Sequence, residues 1–187
     1  NLGYSGVVVT DHFYHGNTRP ERDLPWEQYM EEYLSGYYDM KSAAEGKDFS
    51  VFFGVEERFD TWDEYLIYGL EPEWYISHPE LRNMERTKYL KLAKESGAFI
   101  IQAHPYRYRD YYAKYDCFTI SSSLVDAYEV FNSCNPPEQN KLALMLAKKE
   151  GKPMVGGSDR HKASDYIDLP SGIILPQRAD SIGALIE

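Results

Sequence analysis

The chain has 187 residues, of which 43% are hydrophobic, and a formal net charge of −10 at pH 7. This length suffices for one substantial core, so we expect a single domain over residues 1–187. The acidic balance argues against a nucleic-acid-coating surface, because phosphate backbones are held mainly by clustered lysine and arginine. Two cysteines are too few for a disulfide framework, and neither a signal segment nor an apolar stretch of the ~20 residues that cross a bilayer is present. We therefore expect a cytoplasmic protein without membrane contacts.

Short apolar runs alternate along the sequence with longer amphipathic segments. In chain order, the predicted strands are Gly6–Thr10, Val51–Val55, Tyr65–Gly69, Ala98–Ala103, Val125–Phe131, Pro153–Gly157 and Gly172–Leu175. Most of these runs are continuously apolar, which is typical of strands covered on both faces. The alternation predicts an α/β fold of parallel strands with helical crossovers, either a barrel or an open doubly wound sheet.

Three helices are predicted from apolar residues spaced three and four apart. The stripes comprise Trp26, Met30, Tyr33, Tyr37, Met40 and Ala44; Tyr89, Leu92, Ala93 and Ser96; and Leu142, Met145, Leu146 and Lys149. Gly46, Gly97 and Gly151 follow the three stripes and are suitable C-terminal caps. A further amphipathic helix is expected to begin in the last segment, SIGALIE.

Acidic, amide and imidazole side chains recur where the predicted strands end. They are Asp11 and His12, Glu56, His104, Asn132, and Asp159 and His161. In folds with parallel strands the loops at the C-terminal ends converge, and active sites form there. Imidazole and carboxylate donors without cysteine are typical of a hydrolytic Zn, Mn or Fe site. The sequence therefore predicts a metal site at this rim.

These segments resemble the PHP (polymerase and histidinol phosphatase) family. The shared motifs are VVVTDH, GVE, IIQAHPYR, DAYEVFN and GGSDRH, which occur in the family's order over residues 1 to about 175. The resemblance implies a distorted (β/α)7 TIM-like barrel that binds up to three divalent metals and hydrolyses phosphoesters. By motif, the implied metal ligands are His12, Glu56, His104, Asp159 and His161, and the last three are also the implied catalytic residues.

Two features depart from the family's pattern. The family's first strand carries an HxH pair, and no residues upstream of NLGYSG supply it here. We therefore expect a longer parent chain, in which roughly 20 to 35 additional residues form a first βα unit that this chain lacks. The strand after Glu56 reads YLIYGLEPEW and offers no histidine where some members place a ligand.

Other polar residues near the motifs are candidates for substrate contacts. Arg107 could bind a phosphate through two guanidinium nitrogens or form a surface salt bridge. His15 could cover the substrate from the first loop or remain a solvated loop residue. Arg160 would point away from the metals if both of its neighbours face them. The predicted substrate-binding set is Arg107, His15, Asn132 and Arg160.

Two further acidic residues have defined roles in this interpretation. Asp11 precedes the implied ligand His12 and is expected to orient an imidazole, as carboxylates commonly do beside metal sites. Glu57 is the alternative to Glu56, since adjacent residues of an extended segment face opposite ways.

The ligand set and the resemblance predict a metal-dependent phosphoesterase that acts on a small phosphorylated metabolite or nucleotide. A divalent ion lowers the pKa of its bound water towards ~7, so no protein nucleophile is required. One alternative is a nuclease of the kind found beside polymerases, which the acidic composition disfavours. The other is a non-catalytic module that uses the same rim to bind a partner. The residues predict no particular oligomeric state.

Overall fold

The computed structural model describes residues 3–59, 62–108, 122–161 and 171–187. In chain order the strands and helices are β1 (Gly6–Val9), α1 (Trp26–Ala44), β2 (Ser50–Arg58), β3 (Glu64–Tyr68), α2 (Pro72–Ile76), α3 (Arg86–Glu95), β4 (Phe99–Ala103), β5 (Ala127–Asn132), α4 (Pro137–Glu150), β6 (Met154–Gly157) and α5 (Ile182–Ile186). Short 3-10 helices cover Pro79–Asn83 and Ser122–Leu124. No helix in the described ranges has the length and apolar character needed to cross a bilayer.

The strands form a sheet in which neighbours in sequence are also neighbours in space. β1 pairs in parallel with β2, and β5 pairs in parallel with both β4 and β6. β3 runs antiparallel to β2 and to β4. The expectation of parallel strands is therefore wrong for β3. Only residues 59–63 separate it from β2, whereas a parallel pair needs a crossover of a dozen or more residues.

The sheet curls into a half-barrel. Ser171 approaches the segment ahead of β1, where its N–H donates to the Tyr4 hydroxyl at 2.8 Å and its carbonyl accepts from that hydroxyl at 2.9 Å. The next carbonyl, of Gly172, lies against β6, since a Cβ on Gly156 would come within 2.9 Å of it. The predicted strand Gly172–Leu175 is not formed, because these residues pair with none of the described strands and Ile174 is fully exposed.

The three predicted helices are present as α1, α3 and α4. Glycines with φ of 71°, 94° and 64° follow them at positions 46, 97 and 151. The buried stripes differ from the predicted ones at two places. Met40 near the end of α1 is exposed, and α4 buries Ala143 and Ala147 while Leu142 and Met145 face outward. Small side chains let α4 lie close to the sheet, so its buried face is offset from the larger apolar residues.

An aromatic core fixes the segment that leaves β1. Phe13 is fully buried, and its ring makes edge contacts with Trp26, Tyr29, Tyr33 and Tyr75 at centroid distances of 5.0 to 6.2 Å. Tyr33 on α1 also donates its hydroxyl to the carbonyl of residue 11 at 2.8 Å. Because residue 13 is anchored in this way, the position of the preceding histidine is defined by the core.

Candidate metal centre

His12 and Glu56 meet where β1 ends beside β2. An isolated parallel bridge pairs the two residues, in which Glu56 N donates to Asp11 O at 3.1 Å and Phe13 N donates to Glu56 O at 2.7 Å. His12 Nδ1 then lies 3.3 Å from Glu56 Oε2. Gly16 permits this arrangement, because a Cβ at that position would come within 2.7 Å of the His12 Cβ.

The first residue of β3 adds a carboxylate that the sequence interpretation missed. Glu64 Oε1 lies 3.8 Å from His12 Nδ1. One donor atom from each of His12, Glu56 and Glu64 lies within 4.8 Å of the other two. The predicted strand began one residue later, and a histidine was the ligand sought on it. The signal that could have found Glu64 is an acidic residue at the head of an apolar strand.

His104 lies against both carboxylates. Its Nε2 is 3.3 Å from Glu56 Oε1 and 3.2 Å from Glu64 Oε2. The residue is 3% exposed and has a φ of 28°, in the left-handed region that residues with a side chain rarely occupy. A strained backbone of this kind persists only where surrounding contacts impose it, and it is common at functional sites.

Asp159 and His161 follow β6 and lie beside this cluster. The His161 ring is 5.8 Å from the His12 ring, and its Nδ1 is 3.7 Å from Asp159 Oδ1. The Arg107 guanidinium forms an ion pair with Asp159 and donates from Nε to Asn135 Oδ1 at 2.8 Å. Burial acts to raise the pKa of Asp159, but Arg107, His104 and His161 together outweigh it, so this pKa lies below its usual value. The five residues expected as ligands are thus gathered in one region.

The electrostatics of the cluster are those of crowded acids beside neutral imidazoles. Burial, and then the Asp159 carboxylate, raise the pKa of Glu56 to about 8. Burial, and then Glu56, raise the pKa of Glu64 to about 7. Burial lowers the pKa of His12 to about 4 and also lowers that of His104. At neutral pH the imidazoles therefore offer lone pairs, while Glu56 and Glu64 are largely or partly protonated unless a cation stabilises their ionised forms.

These residues fit a divalent cation. His12 Nδ1 is buried and makes no hydrogen bond within the described part of the chain, although two carboxylates surround it. Imidazole nitrogen and carboxylate oxygen are the donor types that Zn, Mn and Fe accept in hydrolytic sites. A cation would neutralise the acids and could bind the His12 nitrogen.

Asn132 has a different position from that expected for a substrate contact. It is 1% exposed; its Nδ2 donates to Glu129 Oε2 at 3.1 Å, and its Oδ1 accepts from Cys134 N at 2.9 Å. Both ends of the carboxamide are thus engaged inside the protein. Glu129, which the sequence interpretation did not single out, also accepts the backbone N–H of His104 at 2.8 Å.

Glu57 lies on the face of β2 opposite to Glu56. Its Oε1 accepts backbone N–H groups of His15 at 2.9 Å and of Arg58 at 3.1 Å, and it lies 3.4 Å from His15 Nδ1. The His15 Nε2 is 3.1 Å from the carbonyl oxygen of Arg82. The structure therefore places Glu56, not Glu57, in the cluster, and it places His15 on the other side of β2 from the expected substrate.

Two polar residues remain, Arg160 and Asp11. Arg160 is exposed between Asp159 and His161, in a segment that is not a strand and in which Asp159 has a φ of 48°. The Asp11 Oδ2 lies beside Gly36 of α1, where a Cβ on Gly36 would be 3.5 Å away. Adjacent residues of an extended segment point to opposite sides, so the Asp11 carboxylate and the His12 imidazole lie on opposite sides of the chain.

Comparison with known families identifies a match in the C-terminal half of the chain. The model of the PHP-associated family, PHP_C, matches residues 137–165, which include α4, β6 and the segment from Asp159 to His161. A comparison with curated proteins gives no match.

Three solved structures share the fold. A two-domain protein from Bacteroides vulgatus containing a predicted PHP-like metal-dependent phosphoesterase has a TM-score of 0.58 and 16% identity over 85% of this chain. PsfC from Pseudomonas syringae has a TM-score of 0.56 and 13% identity over 84%. A Bifidobacterium adolescentis protein, provisionally described as a metal-dependent phosphoesterase, has a TM-score of 0.51 and 16% identity over 99%. The chain spans 44%, 62% and 85% of these proteins, respectively. The chain therefore shares its fold with these three proteins, and residues 137–165 are similar to the PHP-associated family.

Proposed function

We propose that the protein is a metal-dependent phosphoesterase that acts on a small phosphorylated metabolite or nucleotide. The observation that carries the proposal is the cluster of Glu56 and Glu64 with His12 and His104, in which acids with raised pKa surround a buried imidazole nitrogen that has no hydrogen bond to any described residue. Such a group of donors is stable at neutral pH when a cation compensates it. We also propose that the curled sheet is part of a distorted (β/α)7 barrel, whose rim carries this cluster.

In this proposal, His12, Glu56, Glu64 and His104 hold one divalent cation, which is Zn, Mn or Fe. Asp159 and His161 offer donors for a further cation beside it. Bound cations would polarise a phosphoryl group and acidify a water molecule enough to attack it. The imidazoles contribute by remaining neutral at physiological pH, since burial lowers the pKa of both His12 and His104.

Arg107 is proposed to hold the phosphate of the substrate. Its guanidinium already engages the carboxylate of Asp159 at the edge of the cluster, with 11% of its side chain exposed. A planar guanidinium binds carboxylate and phosphate oxygens with the same paired geometry, so a phosphate can take the place of the acid. A local positive group of this kind also counters the net charge of −10, which otherwise disfavours an anionic substrate.

The test is hydrolysis of a panel of sugar phosphates, nucleoside monophosphates, 3′,5′-bisphosphates and short oligonucleotides by protein loaded with Mn or Zn. We expect turnover that a chelator abolishes and the metal restores. Glu64→Gln should lower kcat/KM at least 100-fold, because it removes a charged donor. Glu95→Gln is the matched control, since Glu95 is an exposed acid on α3 and should leave the rate unchanged.

Two outcomes would overturn the proposal. Turnover of oligonucleotides alone would indicate a nuclease. Absence of turnover of every phosphoester by fully metallated protein would indicate a module that binds metal or a partner without catalysis.

A further inference from the structure

Glu129 is a buried acid of β5 that the proposed chemistry does not use. It is 4% exposed, and its Oε2 accepts two hydrogen bonds, from the backbone N–H of His104 at 2.8 Å and from Asn132 Nδ2 at 3.1 Å. One oxygen of this carboxylate is thus fully engaged with the segment that leaves β4.

The backbone N–H that donates to Glu129 belongs to His104, whose backbone is strained. With a φ of 28°, His104 adopts a conformation that is unfavourable for a residue with a Cβ and that needs external contacts to persist. The same conformation aims the imidazole at Glu56 and Glu64, with Nε2 within 3.3 Å of a carboxylate oxygen of each.

The other oxygen of Glu129 is enclosed by β6. A Cβ on Gly157 would lie 2.2 Å from Glu129 Oε1, so only glycine leaves room for the carboxylate there. The pairing of β5 with β6 also shifts register between Glu129 and Phe131. Irregularities of this type re-aim side chains beside functional sites. The packing around Glu129 therefore fixes the carboxylate where it can reach the neighbouring strand.

We infer that Glu129 is a positioning residue for the metal centre: it holds the backbone of His104 in the conformation that presents its imidazole to Glu56 and Glu64. The inference rests on the proposed function, because it assigns His104 to the metal. Glu129 acts through His104 and contributes no donor of its own to the cation.

The experiment compares Glu129→Ala and Glu129→Gln with the wild-type protein. Isothermal titration with Mn²⁺ measures metal affinity, and hydrogen exchange of the His104 amide in metal-free protein measures the backbone bond directly. Glu129→Ala should weaken Mn²⁺ binding by about 10- to 100-fold, the usual effect of losing a group that supports a ligand. It should also accelerate exchange at His104. Glu129→Gln keeps a carbonyl oxygen for the N–H and should restore most of both properties.

Asp126→Ala provides the matched control. Asp126 Oδ2 accepts the backbone N–H of Ile100 at 2.9 Å, which is the same kind of bond between the same two strands, at their other end. This variant should lower the melting temperature of the metal-free protein without changing Mn²⁺ affinity more than about twofold, because its bond is remote from the cluster. Gly157→Ala should reproduce the Glu129→Ala result, since its methyl group displaces the carboxylate.

The outcomes separate this inference from the proposed function. If wild-type protein binds no divalent cation, the proposed function fails, whereas the exchange rate at His104 still tests the backbone bond. If wild-type protein binds Mn²⁺ and Glu129→Ala binds it equally well, the positioning role is wrong. A Glu129→Gln variant as defective as Glu129→Ala would also contradict it and would indicate that the charge itself holds the metal.

Discussion

The two faces of β2 carry adjacent glutamates in opposite situations. Glu57 is fully buried, and one of its oxygens accepts N–H groups from His15 and Arg58. Glu56 is almost as deeply buried, but its neighbours are a second acid, Glu64, and imidazoles whose pKa is lowered. One oxygen of the first carboxylate accepts hydrogen bonds that the protein supplies, whereas the second carboxylate lies against another acid and against imidazoles that burial keeps neutral.

The comparison shows that burial alone does not separate a structural acid from a functional one. A buried carboxylate that receives hydrogen bonds helps to hold a loop in place. A buried carboxylate that faces another carboxylate destabilises the metal-free fold and creates affinity for a cation. In β2, strand alternation assigns these two roles to consecutive residues.

The largest expected effect is a loss of metal affinity when Glu56, but not Glu57, is replaced by glutamine. Glu56→Gln should weaken Mn²⁺ binding more than 100-fold, because it removes a charged donor from the cluster. Glu57→Gln has the same change of charge and shape and should alter the affinity less than tenfold. Calorimetric titration of both variants measures the difference, and equal losses of affinity would remove the distinction between the two faces.

The free energy of unfolding of the metal-free protein should depend on pH because of Glu56 and Glu64. The pKa of Glu56 is raised to about 8 and that of Glu64 to about 7, so both are protonated in the folded protein at pH values where they ionise in the unfolded chain. The unfolded state then binds fewer protons, and stability falls as pH rises. Below pH ~6.5 the lowered pKa of His12 opposes this trend, because the unfolded imidazole binds the extra proton. Between pH ~6.5 and ~8 we expect a loss of about 2 to 3 kcal/mol in metal-free protein.

Urea unfolding at several pH values in the presence of a chelator measures this loss. Saturating Mn²⁺ should reverse the slope, since the cation binds the ionised carboxylates. A metal-free stability that stays constant or increases from pH 6.5 to 8 would show that the acids are not crowded in solution.

The smallest expected effect concerns the structural face. Glu57→Ala leaves the N–H groups of His15 and Arg58 without their acceptor and should lower the free energy of unfolding by about 1 to 3 kcal/mol at pH 8. Glu56→Ala in metal-free protein at the same pH should cost less or be stabilising, because it relieves repulsion with Glu64. A larger loss for Glu56→Ala than for Glu57→Ala would reverse the comparison.

The sequence alone predicted those residues of the cluster that lie at the C-terminal ends of parallel strands. His12, His104, Asp159 and His161 follow β1, β4 and β6, and Glu56 lies near the C-terminal end of β2. These ends share one rim, and strand patterns reveal such ends directly. Glu64 was missed because β3 runs in reverse and contributes its first residue to that rim. The direction of a strand depends on the length of its connection, so a short link after β2 was the missing signal.

Tertiary contacts decide the surroundings of other polar residues. Asn132 and His15 have residue types suited to substrate binding, and the structure places each beside a buried carboxylate. Composition and spacing do not report these partners. Glu129 was overlooked for the same reason, since its partner is a backbone N–H on a different strand.

The antiparallel pairing of β2 with β3 brings Glu56 and Glu64 together before any ion binds. The ladder from Gly54 and Tyr68 to Arg58 and Glu64 holds the two carboxylate-bearing positions in register. Strand pairing therefore offsets the entropy that is lost in bringing the two carboxylates together. This entropy is small, because few residues separate them in the sequence. His104 and Asp159 arrive through much longer segments of chain. An ion that binds here contacts two carboxylates that strand pairing already holds together. The rest of the fold supplies the remaining donors.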